Sequence, residues 1–282
     1  MDFLTLFYNH VNLPIDFKVN NLEDLEVVMK ALCVSTPFNN LDILDGSFVE
    51  LNRESTIQKV LIEKSGGQCY HISVMMYLYM IEIGLDATMF KVLSSDKNPT
   101  PMSENHISCL LKYTDGNTYL VDVSIGVFCP LKPILIDSET IITGVNGNLC
   151  RSRSNGDGTY LFECKPNVEQ APWFCMYHYN LEPVGFPEVR KCQLNMVNDN
   201  VVFLLNSLPV IFRFTQDENK AINGTVTLSG NSLTENRGAK EKKPITDSAQ
   251  FKEYLVSILK CNYNFEIKPQ YARDGIAEAA FA

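Results

Sequence analysis

Ser65-Gly66-Gly67-Gln68-Cys69-Tyr70 runs directly into an apolar stretch, Val74 to Ile81, and this junction decides the fold. Two adjacent glycines allow a tight backbone approach. Beyond them, Val74, Tyr77, Leu78 and Ile81 recur at helical spacing on one stripe, with Gly84 placed to end the helix. Cys69 therefore stands at a helix N-terminus, where unpaired N–H groups and the positive dipole end favour a thiolate over a thiol. The same residues also fit a plain turn followed by a small buried cysteine.

Upstream of the junction the pattern stays helical. Leu22, Leu25, Val28 and Met29 repeat every three or four residues, Asn21 can cap them with Glu23 and Asp24 in the first turn, and a second helix is expected from about Ser55 to Lys64. Downstream, from Ala87, short β-type runs take over: Thr88 to Leu93, Ile107 to Tyr113, Thr118 to Val123 and Thr159 to Glu163. Asp115-Gly116-Asn117 and Asn155-Gly156-Asp157-Gly158 read as hairpin turns. Further strands at Val201 to Leu205, Val210 to Phe214 and Thr225 to Leu228 lead into a last helix, Ser248 to Leu259. The expected layout has three units: residues 1–86, 87–200 and 201–282.

Composition narrows the function. The chain has 282 residues, 45% hydrophobic, with a net charge of −9, which argues against a nucleic-acid partner because phosphate binding needs a clustered basic face. The cluster Lys240 to Lys243 is interrupted by Glu241 and is expected to be a solvated loop. The longest apolar run is far short of a membrane span and Met1-Asp2-Phe3 offers no basic start to a signal peptide, so a cytoplasmic protein without a membrane partner is expected. Nine cysteines cannot all pair within one chain, which fits a reducing compartment. Cys175 and His178 have a spacing a zinc site can use, but no second pair lies nearby in sequence, so no metal site is expected.

A nucleophilic cysteine needs a base and a group to orient that base. Of the four histidines, His106 opens a strand, and the next strand carries Asp122 between apolar neighbours. An Asp inside a β run is disfavoured unless something satisfies it. A hairpin turning about Gly116 puts the two on one face, yet sets Asp122 opposite Leu110, roughly 13 Å along the strand from His106; a bulge or wider loop has to close the gap. The bland alternatives are a satisfied strand-end histidine and a turn carboxylate accepting backbone N–H bonds.

Four segments together resemble the arylamine N-acetyltransferases. Thr36-Pro37-Phe38-Asn39-Asn40-Leu41-Asp42-Ile43 is similar to the family's PFENLDI segment, and Ser65 to Tyr70 resembles its RGGxC motif. Asn105-His106 and Val121-Asp122-Val123-Ser124-Ile125-Gly126 resemble the strands bearing its histidine and its DVGFG aspartate. The resemblance covers about residues 1 to 265 and is strongest through Pro130. It implies an α+β fold with an N-terminal helical bundle, a central β-barrel-like domain and a C-terminal α/β lid, around a papain- or transglutaminase-like Cys–His–Asp core. It also implies acetyl transfer from acetyl-CoA, a co-substrate with no resident cofactor beside it, through an acyl-cysteine to an arylamine, arylhydrazine or similar amine. Cys69 is then the nucleophile, His106 the base and Asp122 its orienter, while substrate contacts fall on Phe38, Gly126, Val127 and Phe203. Phe90, Tyr177, Tyr179 and Phe186 are further candidates for an aromatic pocket.

The chain departs from the family pattern at several motif positions. Ser65 replaces an Arg and Asn39 a Glu, His71 and Ser73 replace a Glu and an Asn, and Ser124 and Ile125 replace a Gly and a Phe. The joint absence of Arg and Glu is expected to be a replaced interior ion pair, since losing one partner strands a charge and losing both need not. His71, two positions past Cys69, is expected on a different helix face and in a structural role. The apolar Val201 to Leu205 stands where the family carries small hydroxyl residues that contact coenzyme A, which leaves open another acyl donor, a hydrolase, or a binding protein of the same fold.

Overall fold

The structure is a computed structural model that describes residues 1–93, 102, 104–198, 207–237 and 239–266. Helix α1 (Phe3–Val11) starts on Asp2, whose side chain accepts from the Thr5 N–H at 3.0 Å. Helix α2 (Leu22–Ser35) starts on Asn21 as expected, with Asn21 Oδ1 accepting from the Asp24 N–H at 2.8 Å. Strand β1 (Phe38–Asn39) and the short α3 (Leu41–Asp45) follow. The expected 55–64 helix begins earlier, as α4 (Arg53–Ile57), and continues through a π-helical turn, Gln58–Ile62.

Helix α5 (Cys69–Glu82) begins at the cysteine itself, and Gly84, at φ +83°, follows its end. The single apolar stripe is a misreading. Every residue from Cys69 to Met76 is buried, whereas Ile81 is 39% exposed and Tyr77 only half-buried. The helix is apolar nearly all round because α1, α2, α4 and the strands that follow surround it.

The next eight strands make two open antiparallel sheets. One holds β2 (Asp86–Lys91), β3 (Ile107–Lys112), β4 (Thr118–Val121) and β5 (Ile134–Leu135); the other holds β6 (Ile142–Thr143), β7 (Leu149–Ser154), β8 (Tyr160–Lys165) and β9 (Phe174–Tyr179). Neither closes, so the barrel-like expectation is corrected to two four-stranded sheets. They meet where the Leu93 N–H donates to the His178 carbonyl at 2.8 Å. Helix α6 (Phe186–Asn198) follows.

The last sheet is β10 (Val210–Gln216), β11 (Ile222–Ser229), β12 (Ser232–Asn236) and β13 (Lys240–Pro244), with β1 added antiparallel to β10. Helix α7 (Ser248–Glu253) continues into a π-helical turn, Tyr254–Ile258. The strand expected at Val201 to Leu205 lies outside the described residues. Lys240 to Lys243 is an edge strand rather than a loop, exposed along its length, and its charges discourage further strand addition there. One apolar core runs from Phe3 through α5 and both four-stranded sheets to Phe212 and Phe214 on β10. A second joins Leu41 to Ile211, Val226, Leu228, Phe251 and Leu255. Strand β10 thus divides the two cores by the alternation of its side chains.

Candidate active site

The turn before Cys69 is built against β1. The Gly67 N–H donates to the Pro37 carbonyl at 3.1 Å and the Asn39 N–H to the Gly67 carbonyl at 3.0 Å. Gly66 sits at φ +71°, and a Cβ there would lie 2.2 Å from the Pro37 oxygen. At Gly67 a Cβ would lie 2.7 Å from that of His71. Both glycines are therefore required by the approach of β1 and by the first turn of α5. Cys69 is 3% exposed, and its Sγ lies 3.7 Å from the Asn105 carbonyl oxygen, next to His106.

His106 and Asp122 lie just past the facing ends of β3 and β4, both fully buried. The sequence register is off by two residues: Cys109 pairs with Val121 and Lys112 with Thr118, because the turn centres on Asp115. Asp122 thus stands across from Ser108, and His106 is its diagonal neighbour on the same face, a separation two side chains can bridge. His106 Nε2 lies 2.9 Å from Asp122 Oδ2, and no bulge is needed. The Tyr177 hydroxyl donates to the same oxygen at 2.9 Å. Oδ1 accepts from the Ser124 N–H at 2.9 Å and lies 3.4 Å from the Ser124 hydroxyl.

These contacts set the charges. Burial disfavours the His106 imidazolium, but the Asp122 charge and hydrogen bond outweigh it, with a smaller contribution from Cys69, and lift His106 to about 10. Burial also works against the Asp122 carboxylate, yet His106, Ser124 and Tyr177 hold it below the usual carboxylate value. Among the described residues His106 Nδ1 has no hydrogen-bond partner, and it lies on the Cys69 side of the ring. The arrangement can accept a proton from a thiol and stabilise the resulting imidazolium.

On the other side of Cys69, Ser65 and Asn39 are uncharged at the two positions where the resemblance implies an Arg and a Glu. Asn39 Nδ2 donates to the Ser65 carbonyl at 2.7 Å and Cys261 Sγ donates to the same oxygen at 3.2 Å, while Ser65 Oγ donates to the Lys59 carbonyl at 3.0 Å. A charge pair survives nearby: Lys59 Nζ is 3.1 Å from Asp42, which also accepts from Gln68 Nε2. His71 now has a place. Its Nδ1 accepts the Gln68 N–H at 3.3 Å, the back-bond that a Glu or Gln makes three residues after a helix cap. Burial holds His71 neutral, down to about 3, with Lys59 adding to the effect and Asp42 opposing it.

The remaining expected site residues are less central. Phe38 pairs with Gly67 in the turn before Cys69, Gly126 and Val127 begin a short 3₁₀ turn four residues past Asp122, and Phe203 lies outside the described residues. Phe90 and Tyr179 are core rather than pocket lining, fully buried with ring centroids 4.7 Å apart and planes tilted by 31°, and Phe186 is half-buried. Tyr177, expected as an aromatic wall, instead bonds the acid. The sequence signal for it was a tyrosine in a core strand, whose hydroxyl needs a partner when buried. Among the described residues no group of side chains can hold a metal ion.

The fold and site define an α+β protein with a buried thiol–imidazole–carboxylate arrangement at a helix N-terminus. A family profile described as N-acetyltransferase matches residues 21–269, and the chain belongs to the arylamine N-acetyltransferase family. It is 29% identical over 136 residues to a probable arylamine N-acetyltransferase 3 of Dictyostelium discoideum, covering 46% of this chain and 44% of that protein. The chain spans about half the length of the curated relatives it matches. The Bacillus cereus NAT3 arylamine N-acetyltransferase structure, described with a Cys-His-Glu catalytic triad, superposes with a TM-score of 0.79 at 27% identity over 91% of this chain and 97% of that one. The Mycobacterium marinum enzyme in complex with CoA shares the fold, with a TM-score of 0.75 at 20% identity over 92% and 93%.

Proposed function

We propose that the protein is an acyltransferase that moves an acetyl group from acetyl-CoA through an acyl-Cys69 intermediate to an arylamine, arylhydrazine or similar amine. The observation that carries this reading is the buried His106–Asp122 pair at 2.9 Å, beside a cysteine that opens a helix. His106 Nδ1 takes the Cys69 proton, and the thiolate attacks the thioester carbonyl. The C–S bond to coenzyme A breaks, and the departing thiolate takes the proton back from His106. The product acyl-cysteine is itself a thioester; the amine attacks it, its surplus proton passes through His106 to Cys69, and the free thiol returns. The Cys69 backbone N–H is the donor proposed for the tetrahedral oxyanion.

The layout adopted for this chemistry keeps the nucleophile on residues 1–86, the base and acid on 87–200, and a covering unit on 201–282. Phe38, Gly126, Val127 and Phe203 are the proposed substrate contacts, and a reducing cytoplasm the proposed setting, in keeping with nine free cysteines. No helix among the described residues is long and apolar enough to cross a membrane.

Intact-mass measurement after incubation with acetyl-CoA tests the reading. The expected result is a gain of about 42 daltons, an acetyl group in place of a proton, absent in Cys69→Ser. No adduct, together with sluggish alkylation of Cys69, overturns it in favour of a binding protein; an adduct only with other acyl thioesters moves it to an amide synthase.

A further inference from the structure

We propose that Ser73 and Ser124 form a positioning pair through which the nucleophile's own helix holds the Asp122 carboxylate in line with His106. The proposal deepens the acyltransfer reading and rests on its assignment of Asp122 as the orienting acid. Ser73 lies one helical turn after Cys69 on α5, so the two share a face. Its hydroxyl is 2.7 Å from that of Ser124, and both residues are buried. Ser124 in turn gives its N–H to Asp122 Oδ1 and points its hydroxyl at the same atom.

A connected path results. It runs from Cys69 along α5 to Ser73, across to Ser124 and through Asp122 to His106. Each hydroxyl has a single proton to donate. For Ser124 to donate to the carboxylate, Ser73 must donate to Ser124, so the chain has one direction and ends on the acid. The Ser124–Asp122 hydroxyl contact is long at 3.4 Å, and aiming it is what the shorter Ser73 contact does. Tyr177 and His106 occupy Oδ2, so the serines alone set the carboxylate's rotation from the other side. Both positions depart from the family pattern, and the structure places the two departures against each other.

The pair's effect is readable because few other groups titrate nearby. Cys109, Cys129 and Cys164, which feel the Asp122 charge, are pushed up by burial, as are Tyr177 beside the acid and Cys192 beside Cys69. The experiment is the rate of Cys69 alkylation by iodoacetamide as a function of pH, read by intact mass with Cys69→Ser as the control and melting temperatures alongside. Ser73→Ala and Ser124→Ala are each expected to slow alkylation at neutral pH roughly three- to tenfold, the range for losing one ordinary hydrogen bond, and to move the acidic limb to higher pH. The double variant should be no slower than the worse single one, because Ser73 acts through Ser124.

Melting losses with an unmoved limb would show a merely structural pair and overturn the proposal, as would additive effects in the double variant. If Ser73→Ala does not fold, the decision passes to an exchange. Ser73→Asn alone should be slowed, since its longer amide meets the Ser124 side chain, and Ser73→Asn with Ser124→Gly should return toward the wild-type rate. An exchange that leaves the double variant no faster than the single one overturns it. A wild type that takes no acetyl group but whose limb moves in the serine variants separates failure of the acyltransfer reading from failure of this one.

Discussion

Two buried polar regions flank Cys69, and they satisfy burial in opposite ways. On the His106 side the chain keeps a charge pair and surrounds it with donors: Asp122 is bonded by His106, Tyr177 and Ser124. On the Ser65 side, where the family carries Arg and Glu, neutral groups from three distant segments fill the space: Asn39, Ser65 and Cys261. A buried charge is worth keeping only when its partners are complete, and a neutral network is the cheaper way to fill the same volume. The difference sets a charged pair completed by several donors against a neutral network that closes on its own hydrogen bonds.

The strongest way to break the comparison is to neutralise the acid. Asp122→Asn should lower acylation of Cys69 by roughly a thousandfold or more, since the acid fixes the histidine's tautomer and stabilises its charge; single-turnover mass spectrometry would read it, and a rate near wild type would remove Asp122 from the site. The same pair fixes a pH dependence of stability. His106 rises from 6.5 to about 10 on folding, so its contribution is full below pH 6.5 and is lost as pH climbs toward 10. Asp122 is lowered, so its contribution is present above the ordinary carboxylate value and is lost as pH falls below it. Denaturant melts across that range should show the alkaline decline in the wild type and a flatter profile in Asp122→Asn.

The Cys69 half of the site was legible in the sequence because it is local. Gly66-Gly67, a following apolar run and a capping position fix the turn and the start of α5 without reference to the rest of the chain. The His106–Asp122 pair was legible as a shared face, but its register depends on where one turn centres, and a shift of one residue in the turn moves the pairing by two. Tyr177 could not be placed, since β9 belongs to another sheet and its strand arrives 55 residues after Asp122. Sheet closure was misread for a similar reason: whether strands that alternate in sequence join into one sheet is decided by edges that meet only in three dimensions. Ser73 and Ser124 were visible as departures, 51 residues apart, and only the structure brings them into contact.

On the neutral side, restoring one family charge should cost stability. Ser65→Arg puts a guanidinium where Ser65 is 3% exposed and its carbonyl already receives Asn39 and Cys261. The loss expected for an unpaired buried charge is about 3–5 kcal/mol in denaturant unfolding. Adding Asn39→Glu should recover part of it. An unchanged melting temperature in Ser65→Arg would mean that the region admits water and is not the sealed neutral network described.

The smallest expected effect is the most discriminating. Tyr177→Phe removes one donor from Asp122 Oδ2 but leaves His106 on that oxygen and both Ser124 donors on the other. Tyr177 also packs against the His106 ring, with centroids 5.5 Å apart, and against Phe162 at 4.9 Å, and phenylalanine keeps both contacts. Packing is therefore held constant while one bond is lost from a carboxylate that keeps its others, a change of roughly tenfold in rate, the low end for a bond to a charged group. With one donor fewer the charge on Oδ2 is shared with fewer partners and falls more fully on His106, so the imidazolium stays stabilised and the acylation profile should move by no more than a fraction of a unit, with little change in melting temperature. A large loss of stability instead would show that the charged side is held together by the same packing as the neutral side, and the contrast between the two would collapse.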